Sequence, residues 1–168
     1  MQAEIERELA RLVGCTIQRV TRVADLVRFH FADRSSGGGL LALHVACPWR
    51  LTDGERLLVG SGDLLTPADA EADLETFDWD EPGSNWLDVR LAELWEGFGG
   101  APPVVEAVEA DRFGGVRLTL DGGRVIEIFP NSTPTGHVST EFWRLVPDEG
   151  SAPPFAIGTF GIARDPNA

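Results

Sequence analysis

Apolar residues along the chain follow two kinds of spacing. One is typical of helices and the other of strands. Residues 4–13 have apolar side chains at helical spacing, at Ile5, Leu9 and Leu12, and Gly14 is suited to end the helix. Short stretches of alternating apolar and polar residues then predict strands at 15–23, 26–32, 40–45, 49–51 and 57–61. The chain is therefore predicted to begin with a short helix followed by an antiparallel meander.

Four segments of the first half have counterparts, in the same order, in the second half. They are TIQRV (16–20) with VVEAV (104–108), VRFHF (27–31) with VRLTL (116–120), WRL (49–51) with WRL (143–145), and LLVGSGDL (57–64) with FAIGTFGI (155–162). Repeated sequence normally indicates repeated supersecondary structure. We therefore expect two related β-meanders, at about 15–64 and 104–162. Because neither repeat could bury a core of its own, we expect a single domain over residues 1–168.

A glycine-rich turn in the first repeat predicts a register that brings two histidines together. A turn centred on Gly37 pairs Phe31 with Leu43 and places His30 opposite His44 on the other face of the sheet. Imidazoles are good zinc ligands, so His30 and His44 are candidate metal ligands. A zinc site needs three or four ligands and the sequence supplies no third, so a solvated cross-strand pair is the alternative.

The second repeat has its own hairpin signal, DGGR at 121–124. A three-residue loop centred on Gly123 pairs Leu120 with Ile126 and Leu118 with Ile128. Both predicted hairpins thus bury apolar residues at corresponding places.

Residues 65–100 differ in character from both repeats. Residues 66–83 contain seven acidic residues and no basic one. Ser84 or Asn85 can then cap a helix that runs to about Phe98 with one apolar face. The predicted fold is α+β and mainly antiparallel β, with two repeated β-meanders joined by this amphipathic helix.

The charge and length of the chain exclude several classes of protein. The net charge is −13, which argues against a nucleic-acid binder because such proteins need a basic surface. No stretch approaches the roughly 18 apolar residues that span a membrane. The N-terminus lacks the pattern of a signal peptide, so a cytoplasmic location is predicted. Two cysteines are too few for a disulfide framework.

The acidic run contains two aromatic residues, Phe77 and Trp79, which alternate with Asp78 and Asp80. It is interpreted either as a solvated linker or as a docking surface in which Trp79 anchors and the carboxylates steer. Calcium binding is a third interpretation, but the spacing lacks the usual loop pattern.

Arg50 and Arg144 occupy the same place in the repeated Trp-Arg-Leu segments. Two such arginines could clamp an anion such as a carboxylate. The alternative is that each arginine covers an apolar face and pairs with a nearby acid.

No enzyme motif was found. The chain contains no lysine for a P-loop, no Gly-x-Ser-x-Gly elbow and no His-Glu-x-x-His motif. An enzyme is therefore unsupported, and no cofactor is predicted.

The strings LHVACPWR at 43–50, GSGD at 60–63 and EFWRL at 141–145 resemble a family of small uncharacterised bacterial proteins. The resemblance extends from about residue 15 to residue 162. It implies a bacterial, cytoplasmic protein and transfers no catalytic residues.

The sequence favours a non-catalytic acidic protein that binds a basic protein partner, for example an immunity-type protein that covers a basic enzyme's active site. The alternative is a small-molecule or metal-binding protein, or a hydrolytic enzyme, with a pocket between the two repeats. Monomer and homodimer both stay open.

Overall fold

Two antiparallel sheets form the framework of the part of the chain that the structure describes. A computed structural model describes residues 1–32, 40–98, 100–135, 139–147 and 153–163. Within these residues there are eleven strands, a short N-terminal helix and one further helix. The predicted α+β class with mainly antiparallel β structure is confirmed.

The helices and strands have the following bounds. Helix α1 is Gln2–Leu9, continued by a single turn of tighter helix at Ala10–Leu12, and α2 is Trp86–Gly97. Sheet A contains, in spatial order, β1 (Thr16–Val23), β2 (Leu26–Ala32), β3 (Leu40–Val45), β9 (Glu141–Pro147), β10 (Phe155–Gly158) and β11 (Gly161–Ala163). Sheet B contains β5 (Leu57–Gly60), β4 (Trp49–Thr52), β8 (Val125–Ile128), β7 (Val116–Leu120) and β6 (Val105–Ala110).

Neither sheet is built from one sequence repeat alone. Sheet A joins β1–β3 of the first half to β9–β11 of the second, and sheet B joins β6–β8 of the second half to β4 and β5 of the first. The two junctions have the same register: Trp143 lies opposite Val45, and Trp49 lies opposite Ile128. The two halves therefore exchange their last strands.

The pairing of the first strands also has the same register in both sheets. Strands β1 and β2 have an irregularity between Ile17 and Arg19, and strands β6 and β7 have one between Val105 and Ala107. These equal registers support the duplication predicted from the sequence, which itself stays a prediction.

The fourth matched segment is displaced by two residues in the pairing. Gly60 lies opposite Arg50, and Ala156 lies opposite Arg144, so Gly60 corresponds to Ala156 and not to Gly158.

The predicted register of the first hairpin is wrong by two residues. Phe29 pairs with Leu43, and Phe31 pairs with Leu41. The turn that sets this register, with Gly37, lies outside the described residues.

The second hairpin is displaced in the same way, because Leu118 pairs with Ile126. Gly122 and Gly123 both have positive φ, and the N–H of Leu120 donates to the carbonyl of Arg124, so the turn is centred on Gly122. A slip of two residues keeps every side chain on its face, and so the hydrophobic pattern cannot detect it.

The inner faces of both sheets contribute to one hydrophobic core cluster among the described residues. Between the sheets, the rings of Phe29 and Trp49 meet edge to face with centroids 5.1 Å apart. The indole N–H of Trp143 donates to the carbonyl oxygen of Gly114 at 2.8 Å. The outer faces of the two sheets point away from each other, so any site on one is separate from a site on the other.

The two helices cover parts of this sandwich. Helix α1 buries Ile5 and Leu9, and α2 buries Leu87 and Leu91. Asn85 caps α2, with its side-chain oxygen accepting from the N–H of Asp88. No helix in the described part of the chain is long and apolar enough to cross a membrane.

Candidate functional site

The two histidines do not face each other as the sequence predicted. His30 lies opposite Ala42, and His44 lies opposite Arg28, so the histidines are diagonal neighbours on the outer face of sheet A. The Nε2 atom of His30 lies 2.9 Å from the hydroxyl of Thr21. Diagonal neighbours in a sheet are about 7 Å apart, farther than directly opposed residues.

The two histidines do not belong to a larger cluster of metal-binding side chains in the described part of the chain. Among the residues that the structure describes, no group of three or more His, Cys, Asp or Glu side chains is placed to hold a metal ion. Burial lowers the pKa of His44, and the positive charges of Arg28 and Arg144 and the neighbouring His30 lower it further, against an opposing effect of Glu141. Burial and the charges of Arg19 and Arg28 likewise lower the pKa of His30. Both imidazoles are therefore biased towards the neutral form.

Arg50 and Arg144 are not brought together. Each occupies the same register position in its own sheet, and the two sheets share no strand. Arg50 pairs with Glu127 on β8 at 2.7 Å, and Arg144 pairs with Glu141 on its own strand at 2.6 and 2.8 Å. Both arginines follow the structural alternative of pairing with a nearby acid.

On the outer face of sheet B, Arg50 belongs to a row of alternating charges across four strands. The row runs Glu109, Arg117, Glu127, Arg50. One carboxylate oxygen of Glu127 accepts from Arg117 at 2.7 Å and the other accepts from Arg50 at 2.7 Å. Arg117 also lies 3.8 Å from Glu109. Each arginine in this row, which we call the sheet B row, has a carboxylate partner.

The outer face of sheet A has a corresponding row, which we call the sheet A row. It has arginines at the two equivalent positions but no carboxylate at the positions of Glu109 and Glu127. It runs Thr21, Arg28, His44, Arg144. Thr21 stands where sheet B has Glu109, and His44 stands where it has Glu127. Arg28 makes no hydrogen bond or ion pair with the described residues, and its buried Nε has no acceptor there. A protein of net charge −13 thus has a basic cluster on one face of one sheet.

The acidic segment, residues 66–83, is a closed loop with fixed ends. The N–H of Trp86 donates to the carbonyl of Thr66 at 2.7 Å, and the N–H of Ala68 donates to that of Ser84 at 2.7 Å. Within the loop, carboxylates of Asp69, Asp73 and Asp78 each accept from the backbone N–H two residues later. Such local bonds define turns and give the segment a definite conformation.

Arg22 on β1 attaches this loop to the sandwich. Its side chain is 9% exposed and donates to both oxygens of Asp88, at 2.7 and 2.9 Å, and to Asp80 at 2.9 Å. It also reaches the carbonyl oxygens of Trp79 and Asp80. The hydrogen bond with Asp88 is the main reason that the pKa of Arg22 is raised. No local pattern in the sequence points to Arg22, because its acidic partners lie 58 and 66 positions away along the chain.

The aromatic part of the acidic segment is partly withdrawn from solvent. Phe77 and Trp79 are half-buried, and Trp79 packs against the core, whereas Asp78 and Asp80 are exposed. The exposed apolar side chains in and beside this segment are instead those of Leu65, which is 68% exposed, and Leu74, which is 74% exposed.

Behind Trp79 lies a cavity of about 360 Å³, between the acidic loop, the start of α2 and the sheets. Its lining includes Asp25, Cys47, Ser61 and Leu87. Burial raises the pKa of the Cys47 thiol to about 12, so this group is protonated and a poor nucleophile near neutral pH.

Comparison of the chain with protein-family models, with curated proteins and with solved structures gave no match. The resemblance to small bacterial proteins therefore stays a prediction.

Proposed function

We propose that the protein is a non-catalytic interaction protein that binds a basic protein partner through its acidic loop. One observation carries the proposal. Of the seven carboxylates in residues 66–83, only that of Asp80 forms an ion pair with the described residues, so the other six have no cationic partner in that part of the chain.

The loop combines the two features that a docking surface for a basic protein needs. Its carboxylates supply the long-range attraction that steers a basic partner and speeds association. Leu65 and Leu74 supply exposed apolar area beside these charges. Apolar side chains within a charged rim are typical of protein interfaces.

The fixed conformation of the loop also favours binding. The bonds from Arg22 and the closed ends of the loop hold its backbone in place before any partner arrives. A surface that is already ordered does not lose conformational entropy on binding, and this loss is one of the main costs of association. An immunity-type protein that covers a basic enzyme is one function of this kind.

The proposal is tested by comparing two variants with the same change in charge. In the loop variant, Glu71, Glu75 and Glu81 are replaced by Gln. In the control variant, Glu55, Glu96 and Glu106 are replaced by Gln. All six side chains are exposed, and none forms an ion pair with the described residues.

The wild-type protein and both variants are immobilised and exposed to lysate of the source cell at low salt, and bound proteins are eluted with increasing salt and identified. We expect a basic protein to be retained by the wild type and the control variant and lost from the loop variant. The purified partner should then bind with an affinity that falls as salt rises. Equal retention by both variants, or no retained basic protein, would contradict the proposal.

The cavity behind Trp79 favours a second candidate, a binder of a small apolar molecule. Its volume of about 360 Å³ lies within the range of small-ligand pockets. Native mass spectrometry of the protein from its source cell tests this candidate, with a retained mass that disappears when Cys47 is replaced by Phe as the expected result.

A further inference from the structure

The sheet A row lacks a group that the sheet B row supplies for itself. In sheet B, the carboxylate of Glu127 stands between two arginines and accepts from both at 2.7 Å. In sheet A, the arginines at the same positions are Arg28 and Arg144, and the middle residue is His44. The two sheets can be compared directly because the strands that hold these residues pair in the same register.

Among the described residues, sheet A supplies no carboxylate that pairs with Arg28. Arg144 forms an ion pair with Glu141. In sheet B, Arg117 has two carboxylate neighbours, Glu109 and Glu127. Arg28 occupies the equivalent position in sheet A and has a carboxylate at neither of the two neighbouring positions. Its buried Nε has no acceptor in the described part of the chain. A buried donor without an acceptor destabilises a folded protein, so such a donor calls for an explanation.

We propose that the outer face of sheet A binds the carboxylate of a small organic anion, held between Arg28 and Arg144 and above His44. The bound carboxylate takes the role that the side chain of Glu127 has in sheet B. Guanidinium and carboxylate groups match in geometry and charge, and pairs of this type are the strongest hydrogen-bonded contacts available to these side chains. An imidazole in its neutral form can donate one further N–H to the anion.

This site is separate from the acidic loop. Arg28, His44 and Arg144 lie on strands β2, β3 and β9, whereas the loop is attached to Arg22 at the edge strand β1. Carboxylate binding can therefore be present or absent whether or not the loop binds a basic protein.

The test uses acetate as the probe and the full-length protein labelled with ¹⁵N. Acetate replaces chloride at constant ionic strength and pH 7, and the Nε–Hε signal of Arg28 is followed by NMR. The signal is assigned from its loss in Arg28→Lys. We expect a shift that saturates with acetate and does not occur with chloride.

Two substitutions at one position provide the matched control. In His44→Glu, the new carboxylate occupies the place between the arginines, so we expect the response to acetate to weaken at least tenfold. In His44→Gln, no carboxylate is added, and we expect acetate to bind within about threefold of the wild type. Arg117→Gln, an equal change of charge on sheet B, should leave the response unchanged.

Three results would overturn the proposal. They are a shift that does not saturate, a saturating shift that is equally strong in His44→Glu and His44→Gln, and a response to inorganic phosphate in the absence of any response to acetate. The loop variant with Glu71, Glu75 and Glu81 replaced should bind acetate as the wild type does, which separates this outcome from that of the proposed partner binding.

Discussion

His44 and Glu127 occupy the same register position, one on each sheet, and each lies between two arginines on the flanking strands. Glu127 neutralises its arginines, and His44 cannot do so because an imidazole is either neutral or positively charged. One change of residue type at a shared position thus separates a balanced structural surface from a basic one.

Replacing Arg22 by Gln should destabilise the protein by about 3 kcal/mol. The change removes the cation from Asp88, which is 19% exposed, and removes the hydrogen bonds that hold the acidic loop. Loss of one partner from a largely buried ion pair typically costs this much. Denaturation with urea measures the change in the free energy of unfolding.

The control for Arg22 is Arg56→Gln. Arg56 forms an ion pair with Asp53, but its side chain is 78% exposed, so the loss should be below about 0.5 kcal/mol. Equal effects of the two substitutions would show that Arg22 does not attach the loop.

The stability of the protein should fall below about pH 4 in a way that depends on Asp88. Burial acts to raise the pKa of Asp88, but hydrogen bonds from Arg22, Gly83 and Asn85 outweigh burial, and the pKa is lowered from its usual value of 3.8. The ionised carboxylate therefore stabilises the fold at all pH values above 3.8, and this contribution is lost as pH falls through the lower pKa of the folded state.

The measurement is the free energy of unfolding of the wild type and Asp88→Asn between pH 2.5 and pH 7. Asp88→Asn should be less stable than the wild type at pH 7, and the difference should shrink in acid. A constant difference across this range would contradict the assignment.

The histidines of sheet A should make the protein less stable as pH falls below 6.5. The folded-state pKa of His44 lies below its usual value of 6.5, mainly through burial and then through the charges of Arg28 and Arg144 and the neighbouring His30, with Glu141 acting in the opposite direction. Protonation therefore favours the unfolded chain, so stability is full above pH 6.5 and declines as pH falls towards the folded-state pKa.

NMR titration of the imidazole checks this directly. The pKa of His44 should rise towards 6.5 in Arg28→Gln, because one of the positive charges that lower it is removed. A pKa that does not change in this variant would show that Arg28 does not act on the imidazole.

Trp143→Phe should cost about 1 kcal/mol more than Trp49→Phe. Both indoles are buried at equivalent register positions, with exposures of 0% and 3%. The N–H of Trp143 donates to the carbonyl of Gly114, whereas the N–H of Trp49 is buried without an acceptor among the described residues. Removing a paired donor leaves a buried carbonyl unsatisfied, and removing an unpaired one does not. Thermal and urea unfolding of the two variants measure the difference, and equal losses would contradict this reasoning.

The sequence by itself predicted the two helices, the strands of the first half of the chain and the side chains that face the core. Periodicity predicted α1 and α2 within a few residues, and the cap at Asn85 was among the predicted starts of α2. Alternation placed Phe29, Leu43 and Leu118 on the buried side, where the structure has them. These properties depend on neighbours in the chain, and local sequence contains that information.

Three features could not be predicted from the sequence and follow only from the folded chain. They are the register of the strands, their exchange between the sheets and the contacts of Arg22. A two-residue slip leaves the buried face unchanged, so His30 could be predicted opposite His44 although it lies opposite Ala42. The pairing of β4 with β8, and of β9 with β3, depends on how two distant segments bury a shared core. The sheet A row is completed by that pairing, because Arg144 becomes a neighbour of His44 only when strands from the two halves of the chain meet.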